Sequence, residues 1–301
     1  MVQTIYLLPG GYVDGDGTVH RETELIPLSG REEELLAENI HGGESASLVT
    51  SLLSRCVCRL GTISPLSEEL TRSLLIADRQ YLLLKLRELT FGDQVQAILL
   101  CPWPDCGSKI DIDFSIRDIP VRESKDKGPT YQMDLSPEAA FLGDDGDQIT
   151  EIIFRLPNGS DQEAVSPVLH KNEALAFTLL LKRCIQKIGP FEQPGEELIY
   201  KLSPKARMEI EKQLEIVSPK VDLTMEANCP ECGRDFNAPF DLQKFFLGEL
   251  QTSLDLLHRE IHYLAYHYHW SEKEIIGMPR EKRHRYIEVL AEEIEQMNNE
   301  A

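Results

Sequence analysis

Long apolar runs are missing from this 301-residue chain. The longest mainly apolar stretch, near Leu82 to Leu86, is interrupted by Lys85 and closed by Arg87, far short of the roughly 20 residues that a membrane-spanning helix needs. No membrane span is expected. Positive charge is scarce too: 31 Lys and Arg stand against 51 Asp and Glu, a formal charge of -20. No basic run is available to neutralise a phosphate backbone, so nucleic acid is not expected as a partner. A surface this acidic suits basic partners, or a protein that must not associate early. The opening Met1 to Gly10 has no basic segment and no small-residue cleavage site, which argues against export by a signal peptide. Nucleophile-elbow, phosphate-loop and dinucleotide motifs are missing, as are paired catalytic carboxylates in a recognisable frame. The expectation is a protein that is not an enzyme.

What is present is an internal repeat. Arg55-Cys56-Val57-Cys58-Arg59-Leu60-Gly61 matches Arg183-Cys184-Ile185-Gln186-Lys187-Ile188-Gly189 at a spacing of 128 residues. The same offset pairs Glu68-Glu69-Leu70 with Glu196-Glu197-Leu198, Arg79 with Arg207, Leu86 with Leu214 and Cys101-Pro102 with Cys229-Pro230. Going backward, one residue of adjustment pairs Asp16-Gly17 with Asp145-Gly146, Glu22 with Glu151 and Gly30 with Gly159. A register held over about a hundred residues is the mark of a duplication.

Each half then reads alike. A turn at Asp14 to Gly17 leads into Thr18 to Leu28, and one at Gly143 to Gly146 into Gln148 to Leu156. Apolar residues three and four apart predict helices over Ser45 to Leu60 and Asn172 to Ile188. Second helices are predicted over Ser67 to Leu89 and Ser203 to Ile216, the latter opening on a Ser-Pro cap. Strands Gln94 to Leu100 and Lys109 to Phe114 flank one cysteine loop, and Val221 to Glu226 and Arg234 to Phe240 flank the other. The fold class is α+β: a first repeat over 1–121, a polar linker over 122–129, a second repeat over 130–240, and a C-terminal helical extension over 241–301 without a counterpart. In that extension Ser271 and Glu274 make a capping-box pattern, and Pro279 starts a last helix.

Seven cysteines, an odd number, point to a reducing compartment and to metal or core roles rather than disulfides. Cys101 and Cys106 bracket four residues, Cys229 and Cys232 two; each loop has proline after its first cysteine and glycine after its second. That is the turn chemistry of a zinc knuckle, and equivalent hairpins of two pseudo-symmetric halves can share one ion. One Zn²⁺ per chain, held by Cys101, Cys106, Cys229 and Cys232, is the expectation. Four thiolates leave no open coordination position, so its role is structural. Two metal-free redox pairs are the competing reading. Cys56 and Cys184 sit at equivalent places and read as core residues, while Cys58 has no counterpart. His258 and His262 lack the adjacent glutamate of a metalloprotease helix and read as surface residues. Asp14 to Gly17 lacks the glutamate of a calcium loop. The aromatic cluster from Tyr263 to Trp270 fits either a partner-binding patch or internal packing.

The stretch Leu75 to Asp93 followed by the Cys101 to Cys106 knuckle resembles the baseplate protein family of T-even phages and related contractile tails. The opening Leu8-Pro9-Gly10-Gly11-Tyr12, the segment Leu28 to Glu34, and the tail from His269-Trp270-Ser271 through Ile275-Ile276, Pro279 and Arg285-Tyr286 are similar to it as well. The resemblance implies a structural or assembly component of the baseplate or hub of a contractile tail or injection system. Its partners would be other baseplate or hub proteins, with the C-terminal aromatic helix as candidate contact. It would reside in the bacterial cytoplasm during assembly and then in the virion or injection particle. A transient chaperone for a hub or tape-measure protein is the alternative, and a zinc-dependent hydrolase a remoter one.

Overall fold

A computed structural model describes residues 4–39, 45–125, 128–143, 146–169 and 171–300. Met1 to Gln3, Asp126 and Lys127 of the linker, and Asp144 and Asp145 of the second turn lie outside the described residues. The fold is mixed α+β. The hairpin β1 (Ile5–Val13) and β2 (Val19–Leu25) is followed by helices α1 (Gly30–Asn39) and α2 (Ser45–Cys56) and by β3 (Val57–Leu60), which pairs antiparallel with β2. Helices α3 (Glu68–Ser73) and α4 (Ile76–Phe91) lead to the hairpin β4 (Gln94–Leu100) and β5 (Lys109–Ser115), then to the short β6 (Val121–Arg122).

Strand β7 (Tyr131–Asp134), the small hairpin β8 (Phe141–Leu142) and β9 (Gln148–Ile149), and β10 (Glu151–Phe154) precede α5 (Gly159–Leu169) and α6 (Glu173–Cys184). After them come β11 (Ile185–Ile188), β12 (Phe191–Glu192), α7 (Glu196–Lys201) and α8 (Pro204–Val217). Strands β12-β11-β10-β7 form one antiparallel sheet. Next are β13 (Lys220–Val221), the hairpin β14 (Thr224–Asn228) and β15 (Asp235–Pro239), and the helices α9 (Leu242–Tyr268), α10 (Glu272–Ile276) and α11 (Arg280–Glu300).

Helix α4 is buried nearly all round, with Leu82, Leu83, Leu84 and Leu86 in the larger core beside Leu8, Leu52, Leu53 and Cys56. Phe246 and Leu247 of α9 belong to this core, so the extension begins by packing on the first half. Arg87 fixes it there, reaching both carboxylate oxygens of Glu249 at 2.8 and 3.1 Å. A second core holds Ile152, Phe154, Leu181, Ile185, Ile188, Ile199 and Ile210. The expected linker is anchored at its start, where β6 pairs with β13 and Ser124 N–H donates to Pro9 O at 2.9 Å.

Three of the expected helices differ in extent. The helices starting at Ser45 and Asn172 end at Cys56 and Cys184, not at Leu60 and Ile188, because Val57–Leu60 and Ile185–Ile188 are recruited as strands. Residues buried at both ends of a four-residue run fit either period, and the open edges of β2 and β10 decide it. The single helix expected over Ser67 to Leu89 breaks at a corner where Leu74 and Leu75 are extended, whereas the one expected over Ser203 to Ile216 is found as α8, with Ser203 as its N-cap and Pro204 in its first turn. At the first corner the other half supplies the hydrogen bonds a continuous helix would have made. Ile76 N–H donates to Pro157 O at 3.3 Å and Gly159 N–H to Leu74 O at 3.0 Å. Helices α1 and α5 were not anticipated; Ser29 with Glu32 and Asn158 with Asp161 cap them, with carboxylates accepting the cap residues' N–H at 3.1 and 2.9 Å.

Gly159 lies against Arg79 and cannot carry a side chain: a Cβ there would stand 2.5 Å from Arg79 Nη1 and 2.9 Å from Arg72 O. Gly159→Ala is expected to lose roughly 1–3 kcal/mol in urea unfolding. Asp78, buried in α4, accepts N–H bonds from Gly10 and Gly11 at 2.7 and 2.9 Å, yet desolvation raises its carboxyl to about 6. A carboxyl raised by folding binds its proton more tightly in the native state, so its contribution to stability falls as pH rises from about 4 to about 6, then levels. The stability difference between wild type and Asp78→Asn is expected to shrink over that window and stay constant above it, by urea titration at each pH.

Candidate metal centre

The β4–β5 and β14–β15 hairpins bring their tips together. The Sγ atoms of Cys101, Cys106, Cys229 and Cys232 all lie within 4.8 Å of one another. Two of the pairs cross between hairpins, Cys101 to Cys232 at 3.8 Å and Cys106 to Cys229 at 3.7 Å. A disulfide needs about 2.05 Å, whereas four sulfurs held at about 2.3 Å around a tetrahedral ion stand about 3.8 Å apart. The spacing fits an ion.

Local structure builds each tip. Cys101 N–H donates to Ser108 O, and Cys106 and Gly107 N–H both donate to Trp103 O; Cys229 N–H donates to Arg234 O and Gly233 N–H to Cys229 O. Gly107 at φ 64° and Gly233 at φ 70° occupy the left-handed region that the turns require. Ile110 and Phe236 bury the inner pair, Cys101 and Cys229, while Cys106 and Cys232 are half-buried. Desolvation raises the Cys101 thiol; the Arg234 amide, with its guanidinium, pulls Cys232 down to about 6, and the Ser108 hydroxyl lowers Cys106. A site that favours thiolate on its outer side is ready for a cation.

The sequence did not flag the residues that lock the tips together. Arg234 bonds Asp105 at 2.6 Å and lies 4.8 Å over the Trp103 ring, so the second tip grips the longer loop of the first. The extra length of that loop, four residues against two, was the available signal.

Other candidates fall elsewhere. Cys56 and Cys184 are buried at the ends of α2 and α6, and Cys58 is half-buried. His258 and His262 are exposed on α9. Asp14 accepts N–H bonds from Asp16 and Thr18 and pairs with His20, the pattern of a closed turn. The aromatic cluster divides. Trp270 stacks on Tyr268 at 4.6 Å and meets Tyr286 of α11 edge-on at 4.8 Å, whereas Tyr266 remains exposed. Among the described residues, no helix is long and apolar enough to cross a membrane.

The fold and site together define an α+β body whose two hairpin tips meet in a thiol cluster that could hold a metal ion. The chain belongs to the family described as T4 bacteriophage base plate protein, whose model matches residues 16–247. A family of unknown function (DUF6760) matches residues 251–301. No curated protein and no solved structure matches the chain. Membership supports a baseplate-related structural role and interaction with other baseplate proteins.

If the thiol cluster is a metal site, Co²⁺ added to the reduced, metal-stripped chain develops sulfur-to-metal charge-transfer absorption saturating near one equivalent. Cys229→Ser with Cys232→Ser is expected to abolish it.

Proposed function

We propose that this chain is a structural subunit of the baseplate or hub of a contractile tail or tail-like injection system, with a single structural Zn²⁺ clasping two duplicated halves. The reading is carried by membership of the base plate family over residues 16–247. Zinc is favoured over other ions because all four donors are thiols within 4.8 Å of one another, two pairs of them at the 3.8 and 3.7 Å that a tetrahedral ion would set. With four sulfurs bound no position is left for water or substrate, which favours a clasp over a hydrolase.

Corresponding hydrogen bonds support the duplication. Arg79 Nη1 donates to Thr50 Oγ1 and Thr71 O; Arg207 donates to Thr178 Oγ1 and Ile199 O, every partner displaced by 128. Gly61 N–H donates to Glu22 O at 2.7 Å, as Gly189 N–H does to Glu151 O at 2.8 Å. The paired glycines Gly17 and Gly146 have φ of 81° and 82°. The halves are thus read as 1–121 and 130–240, joined by 122–129 and followed by the extension 241–301. The exposed end of α9 around Tyr266 is the candidate contact of that extension with neighbouring subunits.

The chain would be made in the bacterial cytoplasm and enter the finished particle. Mass spectrometry of purified particles is expected to find it at fixed stoichiometry, with about one zinc per chain in the isolated protein. Presence only in assembly intermediates would instead support a transient chaperone, and two ions or none per chain would overturn the shared clasp.

A further inference from the structure

Three helical corners in this chain share one construction. Helices α3, α7 and α10 have N-caps at Ser67, Gly195 and Ser271, and twelve residues beyond each stands an arginine in the following helix: Arg79, Arg207 and Arg283. Each arginine reaches back to a carbonyl of its own corner: Thr71 O for Arg79, Ile199 O and Leu202 O for Arg207, Met278 O for Arg283. The α10–α11 corner extends the pattern into the tail, where the sequence had suggested no counterpart.

Two corners are occupied, in the same way. At the α3–α4 corner Asn158 pairs with Leu75 in an isolated bridge, Ile76 N–H donates to Pro157 O, and α5 begins at Gly159 directly over Arg79. At the α10–α11 corner Ser29 pairs with Pro279, Arg280 N–H donates to Leu28 O at 3.4 Å, and α1 begins at Gly30, where a Cβ would stand 2.8 Å from Ile276. In both, the visitor is an extended residue, a capping residue, then a glycine that starts a helix. In both, acidic side chains of the visiting helix meet the corner's cations: Glu163 bonds Arg72 at 3.0 Å, and Glu33 bonds Arg283 at 2.7 Å. Coverage leaves Arg79 at 1% and Arg283 at 0% exposure.

Among the described residues, no helix start sits on the α7–α8 corner as it does on the other two. Arg207 is half-exposed, and around it Tyr200, Met208 and Leu175 are 53%, 60% and 43% exposed. Tyr200 and Met208 stand where the first corner has Arg72 and Gln80, so this face is more apolar than its occupied relative. Among the described residues the two helices that begin at a glycine, α1 and α5, are already engaged, so they are not free in a second copy of the chain. The α1 joint also spans the boundary between the two family matches, 16–247 and 251–301.

We propose that the α7–α8 corner is a docking site for a glycine-headed helix of a different protein, presenting apolar side chains toward Tyr200 and Met208 and an acidic one toward Arg207. The proposal rests on the baseplate reading only for the partner's identity, a neighbouring baseplate protein. Pro204, where the other corners have Ile76 and Arg280, lacks an N–H, so the incoming strand loses one of the hydrogen bonds seen there. The apolar rim offsets that loss.

The probe is a capped peptide of residues 156–169 carrying Gln162→Leu, which keeps Glu163 for Arg207 and offers an apolar side chain where Gln162 stands beside Gln80 at the first corner, titrated to millimolar concentration into the full chain carrying labelled Met methyl groups. Saturable shifts of the Met208 methyl are expected, lost with a Gly159→Leu peptide and weakened at least tenfold by Arg207→Ala. No shift at Met208, or an equal shift with the Gly159→Leu peptide, would overturn the site. In assembled particles, a photo-cross-linker at position 208 is expected to capture a different protein through the first turn of a helix. A cross-link to a second copy, or none from a chain that is present in the particle, would also overturn it. Absence of the chain from particles would instead sink the baseplate reading while the peptide titration still decides the corner.

Discussion

The buried guanidinium of Arg79 is the constraint around which the two halves are arranged. Its hydrogen bonds reach Thr50, Thr71 and Ala46, so it ties α2, α3 and α4 into one block. Desolvation lowers its pKa to about 10, which still leaves it charged near neutrality. The compensating negative charge comes from the other half: Glu163 on α5 bonds Thr50 and Arg72 around the buried cation. A buried cation whose counter-charge lies across a joint, and whose Nε has no hydrogen-bond partner, makes that joint specific, because separation would strand the charge. Gly159 adds a steric condition, since only a residue without a Cβ brings α5 close enough.

The clasp at the hairpin tips acts on a different part of the free energy. The crossing pair Cys106 and Cys229 is separated by 123 residues, so a bound ion would close a very long loop and act largely by restricting the unfolded chain. The small apolar cluster around Ile110 and Phe236 contains the cysteines themselves. Without an ion, the hairpin tips keep that cluster, the bond between Arg234 and Asp105, and the Arg234 guanidinium over the Trp103 ring. The two larger cores share no residue with the cysteine cluster, so loss of metal should loosen the tips before the body.

The cysteine pairs could be read from sequence because a knuckle is written locally, in proline and glycine beside the thiols. The 128-residue register is likewise written in local matches, and under the duplication proposed above it pairs Arg79 with Arg207. Helix boundaries were not. At Val57 and Ile185 the helical and strand patterns coincide over four residues, and the choice is made by β2 and β10, which lie far away in sequence. The corner at Leu74 and Leu75 was hidden for the same reason, since Pro157 and Gly159 provide its hydrogen bonds. Helices α1 and α5 carried a local signal in Ser29 with Glu32 and Asn158 with Asp161, but their acidic, weakly apolar sequences offered little periodicity.

The acidic charge also takes on structure when viewed at the joints. Glu33 lies buried between Arg280 and Arg283, and Asp161 between Arg155 and Arg183. Burial alone would raise Asp161, but its arginine partners hold it below the ordinary carboxylate range. Each carboxylate is therefore paid for by cations drawn from a different segment, and part of the chain's small stock of arginine is fixed inside. The remaining surface is correspondingly negative. Such a surface repels its own copies at long range, while short apolar faces such as Tyr200 and Met208 can still accept a partner of matched shape. That combination favours ordered addition to a growing assembly over association of free chains with one another.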